Sequence, residues 1–91
     1  MAKKTVSNNK TSIGKLSDSK PVLYKIKTES GKVNYVGVAK RGRVQERLEE
    51  HLPGGKDYVP GAKVQIEQFA SIAEAKKKEA AEINRINPKH N

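Results

Sequence analysis

Apolar and polar residues alternate along "PVLYKIKT" and again along "KVNYVGV", on either side of "ESGK". This period of two is the signature of a β-hairpin. A two-residue turn at Ser30 and Gly31 sets Ile26 opposite Tyr35 and Tyr24 opposite Gly37. Tyr24 and Tyr35 then project from one face as diagonal neighbours, and the glycine opens space opposite Tyr24. Downstream the period lengthens. Val44, Leu48 and Leu52 recur every fourth residue and predict a helix over 42–52 with these three as its buried stripe. Arg43, Arg47 and His51 repeat at the same spacing along its edge. "LPGGKDYVPG" is loop, "AKVQIEQFA" a third strand, and "SIAEAKKKEAAEINRI" a final helix opened by the capping box of Ser71 and Glu74. The expected order is ββαβα, an α+β (broadly α/β) domain with a small three-stranded, mainly antiparallel sheet flanked by helices.

Residues 1–20 lack such a pattern. They are rich in Lys, Ser, Asn and Thr and carry five basic residues against one acid, Asp18. They read as a disordered basic N-terminal arm, either a solubilising tail or a tether to phosphates, ahead of one folded domain over 21–91.

Composition narrows the function. A chain of 91 residues with 34% apolar content supports a single small core. With no Cys it has neither disulfides nor thiolate metal sites, which suits a reducing compartment. No apolar run approaches the roughly 20 residues that span a bilayer. "MAKKTVSNNKTSIGKLSDSK" lacks an apolar signal segment, so the cytoplasm is the expected location. The formal charge of +9 favours a polyanionic partner, nucleic acid before a membrane surface. No small-molecule cofactor is expected, and a monomer is favoured.

One residue of the last helix is out of place. Ile72, Ala75, Ile83 and Ile86 share a face, and Glu79 falls in its middle. A carboxylate aimed at a core is costly unless it is paired or holds a cation. It is either a structural partner of Arg47 or a lysine, or a metal ligand at the bottom of a cleft. Glu74, Glu82 and the lysines at 76–78 are assigned to solvated faces.

Two same-face tyrosines, an Arg-His stripe and one inward Glu match the needs of phosphodiester cleavage: a polarised nucleophile, a cation near the phosphate, and charge stabilisation of the transition state. From residue 21 to the end the chain resembles the GIY-YIG endonuclease family, which includes the nuclease domain of an excision-repair incision subunit and so suggests a role in DNA repair. "VLY" (22–24) stands at the first motif, with Tyr24 its tyrosine, and "YVG" (35–37) is a near-literal second motif. "ERLEEHL" puts Arg47 where the family keeps its catalytic arginine and His51 where relatives carry His or Tyr. Glu79 matches the metal-binding glutamate, and Pro88 and Asn91 match the terminal Pro and Asn. The pattern departs at Val22, where the family has a leading glycine, and at Val38, where many relatives have Lys.

The resemblance implies a metal-dependent endonuclease hydrolysing phosphodiester bonds in DNA. Glu79 would hold one divalent cation, Mg²⁺ or Mn²⁺. Arg47, with Arg43 as the fallback, would neutralise charge on the phosphate. Tyr35 or His51 would be the general base; a free phenol titrates near pH 10 and needs a nearby cation, an imidazole near 6.5 does not. Tyr24 would hydrogen-bond within this network. Lys40, Arg41 and Arg43 would contact the nucleic acid, and Asn91 would brace the site. The runner-up is a catalytically inactive nucleic-acid-binding module, for DNA or RNA, on the same fold. A small basic structural protein, akin to those of the ribosome, explains the charge but not Glu79.

Overall fold

Seven elements follow one another in the computed structural model, which describes residues 3–16 and 18–88. They are β1 (Lys3–Ser7), α1 (Lys10–Ile13), β2 (Val22–Lys27), β3 (Val33–Ala39), α2 (Val44–Glu49), β4 (Lys63–Gln68) and α3 (Ile72–Ile86). Asn91 lies outside the described residues.

The β2–β3 hairpin has the expected facing pairs, Tyr24 with Gly37 and Ile26 with Tyr35. Its turn is longer than expected. Gly31 N–H donates to Thr28 O and Thr28 N–H to Lys32 O, so residues 29–31 form the loop and Gly31 adopts a left-handed φ of 93°. This is the three-residue hairpin in which glycine follows a tight turn. The extra residue shifts the register by one, and a bulge corrects it. Lys27 faces Val33 but Ile26 faces Tyr35, leaving Asn34 unpaired in the ladder. The Asn34 amide turns inward and donates to Pro60 O at 2.8 Å. Two deviations cancel, and both tyrosines stay on one face.

The N-terminal segment corrects the reading of 1–20 as a disordered arm. β1 pairs antiparallel with β4, Val6 against Val64, and makes the sheet four-stranded rather than three-stranded, in the order β1-β4-β2-β3. The element order is therefore βαββαβα. Asn9 Oδ1 caps α1 by accepting from Ser12 N–H at 2.8 Å, and the turn delivers Ile13 and Leu16 to the core. An edge strand needs only one apolar side chain facing inward, and its lysines keep it from pairing further. That explains why the segment reads as polar.

Two cores flank the sheet. Val22, Tyr24, Ile26, Val64 and Ile66 face Ile13, Val44 and Leu48 on one side. On the other, Leu23, Val36, Phe69 and Ala75 pack with Ile72, Ile83 and Ile86 of α3. Ser71 Oγ caps α3 by accepting from Glu74 N–H at 3.3 Å, and Asn87 ends it in a left-handed conformation. Among the described residues no helix is long and apolar enough to cross a membrane. β3 lies at the sheet edge, so α2 on one face and α3 on the other both reach the cleft beside it.

Candidate active site

Tyr24 shares a strand face with Val22 and Ile26, so the hairpin drives its ring into the core, where it is 0% exposed. Gly37 makes that possible. A Cβ there would lie 2.6 Å from both Cζ and the hydroxyl of Tyr24 and 2.9 Å from Tyr35 Cε2. The Tyr24 hydroxyl reaches His51 Nε2 at 2.7 Å, and His51 Nδ1 lies 2.7 Å from the Asp57 carbonyl oxygen. A carbonyl can only accept, so Nδ1 carries the hydrogen and the bare Nε2 accepts from the Tyr24 O–H. Burial keeps both groups neutral: it pushes the imidazole pKa down and the Tyr24 phenol up, the latter reinforced by Tyr35.

Tyr35 is half-buried, its ring centroid 6.0 Å from that of Tyr24 and 4.8 Å from that of His51. The loop after α2 closes over this group. Asp57 N–H donates to Glu50 O and Val59 N–H to His51 O, both at 3.0 Å. Arg47, one helical turn before His51, donates through Nη1 to Glu50 Oε1 and, at 3.2 Å, to Asp57 Oδ2. Its Nη2 and Nε make no hydrogen bond among the described residues. Arg47 stands between two clefts. One, of about 280 Å³, is lined by Tyr35, His51, Asp57, Tyr58 and Val59. The other, of about 300 Å³, is lined by Lys40, Arg43, Lys56 and Lys76 and by Glu50, around an apolar floor of Val38, Ala39 and Ile72.

Glu79 is half-buried on α3 and has no hydrogen bond or ion pair among the described residues. Burial pushes its carboxyl pKa up, against the pull of Lys76 and Arg47, and its charge is also felt at the Tyr24 phenol. Tyr24, Tyr35, Arg47 and His51 are thus brought together, whereas Glu79 lines neither cleft and is linked to them through its charge alone. Lys40 lines the basic cleft. So does Arg43, which pairs with Glu46 at 2.9 Å, whereas Arg41 is exposed in the turn before α2 and lines neither cleft.

No family model matches the chain, and no curated protein or solved structure does either.

Two residues escaped the sequence reading. Glu82, expected on a solvated face, is 7% exposed and accepts from Lys25 Nζ at 2.6 Å and Arg85 Nε at 2.8 Å. Arg85 first and then Lys25 pull its pKa down to about 2. The signal was present: Glu82 follows Ala75 by two helical turns, and Lys25 alternates with Leu23 on the strand face that α3 covers. The structural ion pair on α3 is therefore formed by Glu82, not Glu79. Asp57 acts on His51 through its backbone carbonyl, which carries no mark in the sequence.

Proposed function

We propose that the protein is an endonuclease on a GIY-YIG-like fold, hydrolysing phosphodiester bonds in DNA with one Mg²⁺ or Mn²⁺ and acting in the cytoplasm. The observation that carries this reading is the convergence of Tyr35, Arg47 and the Tyr24–His51 pair at one cleft, with the Glu79 carboxylate, unpaired among the described residues, within electrostatic reach. A lone carboxylate fits a cation that keeps most of its waters, as Mg²⁺ does. Glu79 would hold such an ion, and the ion would supply positive charge to the phosphate as its bond breaks.

The remaining work falls to the chain's own groups. His51 is 1% exposed and both its ring nitrogens are engaged, which argues against it as the base that meets water. Tyr35 lines the cleft beside the Arg47 guanidinium and is the better candidate to orient water and take its proton. His51 and Tyr24 hold the wall against which Tyr35 packs. Glu50 and Asp57 fix Arg47 by Nη1, leaving its other edge to meet a phosphate. Those same carboxylates offset part of its charge, which favours the second reading, a nucleic-acid-binding module without cleavage.

Plasmid nicking tests the proposal. Nicking should require Mg²⁺ or Mn²⁺, stop with chelator, and fall by about 100-fold or more in Tyr35→Phe, the scale of losing a general base. Glu79→Gln should abolish it while DNA binding persists or tightens. DNA binding by the wild type with no cleavage of plasmid or of single-stranded DNA in either metal would select the second reading.

A further inference from the structure

Tyr58 is the one large hydrophobic residue exposed among the described residues, at 53%. It is not a loose loop tip. Both of its neighbours are tied to the end of α2: Asp57 through Glu50 O and His51 Nδ1, Val59 through His51 O. Val59 is also part of the core beneath. The backbone on either side of Tyr58 is therefore held, while its ring has no ring partner or hydrogen bond among the described residues. That ring lines the cleft that holds Tyr35 and Arg47.

A tethered aromatic ring left in water at a cleft rim forgoes burial that a nearby core could have supplied. A flat apolar ligand face restores it. The lining of the adjoining cleft points to which face. Lys40, Arg43, Lys56 and Lys76 line it with Arg47, and Glu50 is its one acid, a mainly cationic lining that suits the phosphates of a strand. We propose that Tyr58 is a stacking platform for one unpaired nucleobase beside the phosphate held at Arg47. The substrate class is then single-stranded DNA, or duplex with an unpaired nucleotide at the reacting position. In an intact duplex each base face is covered by its neighbours and offers Tyr58 nothing to stack on. This inference rests on the reading that the cleft takes nucleic acid, though not on cleavage itself.

The test uses fluorescence anisotropy in chelator, with a short oligothymidylate, an abasic strand of the same length, and a duplex. Tyr58→Ala should weaken oligothymidylate binding about tenfold, the effect of losing one base–aromatic stack. Affinity for the abasic strand and the duplex should not change, and Tyr58→Phe should bind like the wild type. The chain has no Trp, so Tyr58→Trp supplies a single indole that can be excited beyond the absorption of the remaining tyrosines. Its emission should be quenched by oligothymidylate and not by the abasic strand. Equal oligothymidylate affinity for wild type and Tyr58→Ala, or unquenched emission from Tyr58→Trp at saturation, would overturn the platform. Quenching in a protein that cleaves neither plasmid nor single-stranded DNA would support the platform and count against the nuclease alone.

Discussion

A methyl group at Gly37 would press on the Tyr24 hydroxyl, which is fully buried and bonded to His51. Gly37→Ala should destabilise the fold by about 1–3 kcal/mol, the range for overpacking a core, as read from thermal melts. The two inward glutamates of α3 should respond in opposite ways. Glu82→Gln leaves Lys25 without its carboxylate and should cost about 3 kcal/mol, the lower range for breaking a buried pair. Glu79→Gln should leave neutral-pH stability unchanged or raised, because burial has lifted its carboxyl pKa and so penalises the charged form. Acid separates His51 from Glu82. The folded imidazole has a lowered pKa, so the unfolded chain binds its proton more readily, and stability is lost as pH falls below 6.5. Glu82, also lowered, gives up its contribution later, between 4.5 and about 2. The melting temperature should fall in two stages on acidification, and Glu82→Gln should shrink only the lower one, which Glu50, held low by Arg47, shares. The tyrosine pair was legible because strand alternation is strict. Glu82 was legible in spacing and passed over, since a helix already rich in Glu and Lys hides one that points inward.

Among the elements, β2, β3, β4, α2 and α3 announce themselves through runs long enough to show a period. β1 and α1 do not. β1 brings one apolar residue, Val6, to the core, and α1 is a single turn. Such short elements form because β4 offers a partner and the core offers Ile13 a place. Ile13 is 0% exposed, so Ile13→Ala should cost about 3 kcal/mol by urea denaturation, a middle value for a cavity of that size. A truly disordered arm would give no change. The hairpin loop carries a different lesson. The turn is one residue longer than its sequence suggests, yet the register survives because the bulge at Asn34 compensates, and no local sequence rule couples the two.

For the molecule as a whole, the excess of +9 was plain from composition, but its arrangement was not. Lys56 comes from a loop and Lys76 from α3, and only the fold sets them beside Lys40 and Arg43. If these cations track a single strand, each one replaced by Ala should reduce the slope of log affinity against log salt by about 0.7. Titrations across salt concentrations check this, and an unchanged slope would place the strand elsewhere. The sheet order was equally hidden, because an edge strand so polar gives no hint of its neighbour.

Lys3 pairs with Glu67, so among the described residues the first strand docks on the last. During synthesis β1 emerges early and waits for β4, while the β2–β3 hairpin can close as soon as it is made. The closure is a long-range contact whose loop entropy must be met before it gives any return, which places it late in folding. Until then the β4 edge is open, and a β1 strand from a second copy could occupy it as readily as the chain's own. Refolding at high concentration should therefore yield strand-exchanged dimers that dilution during refolding avoids.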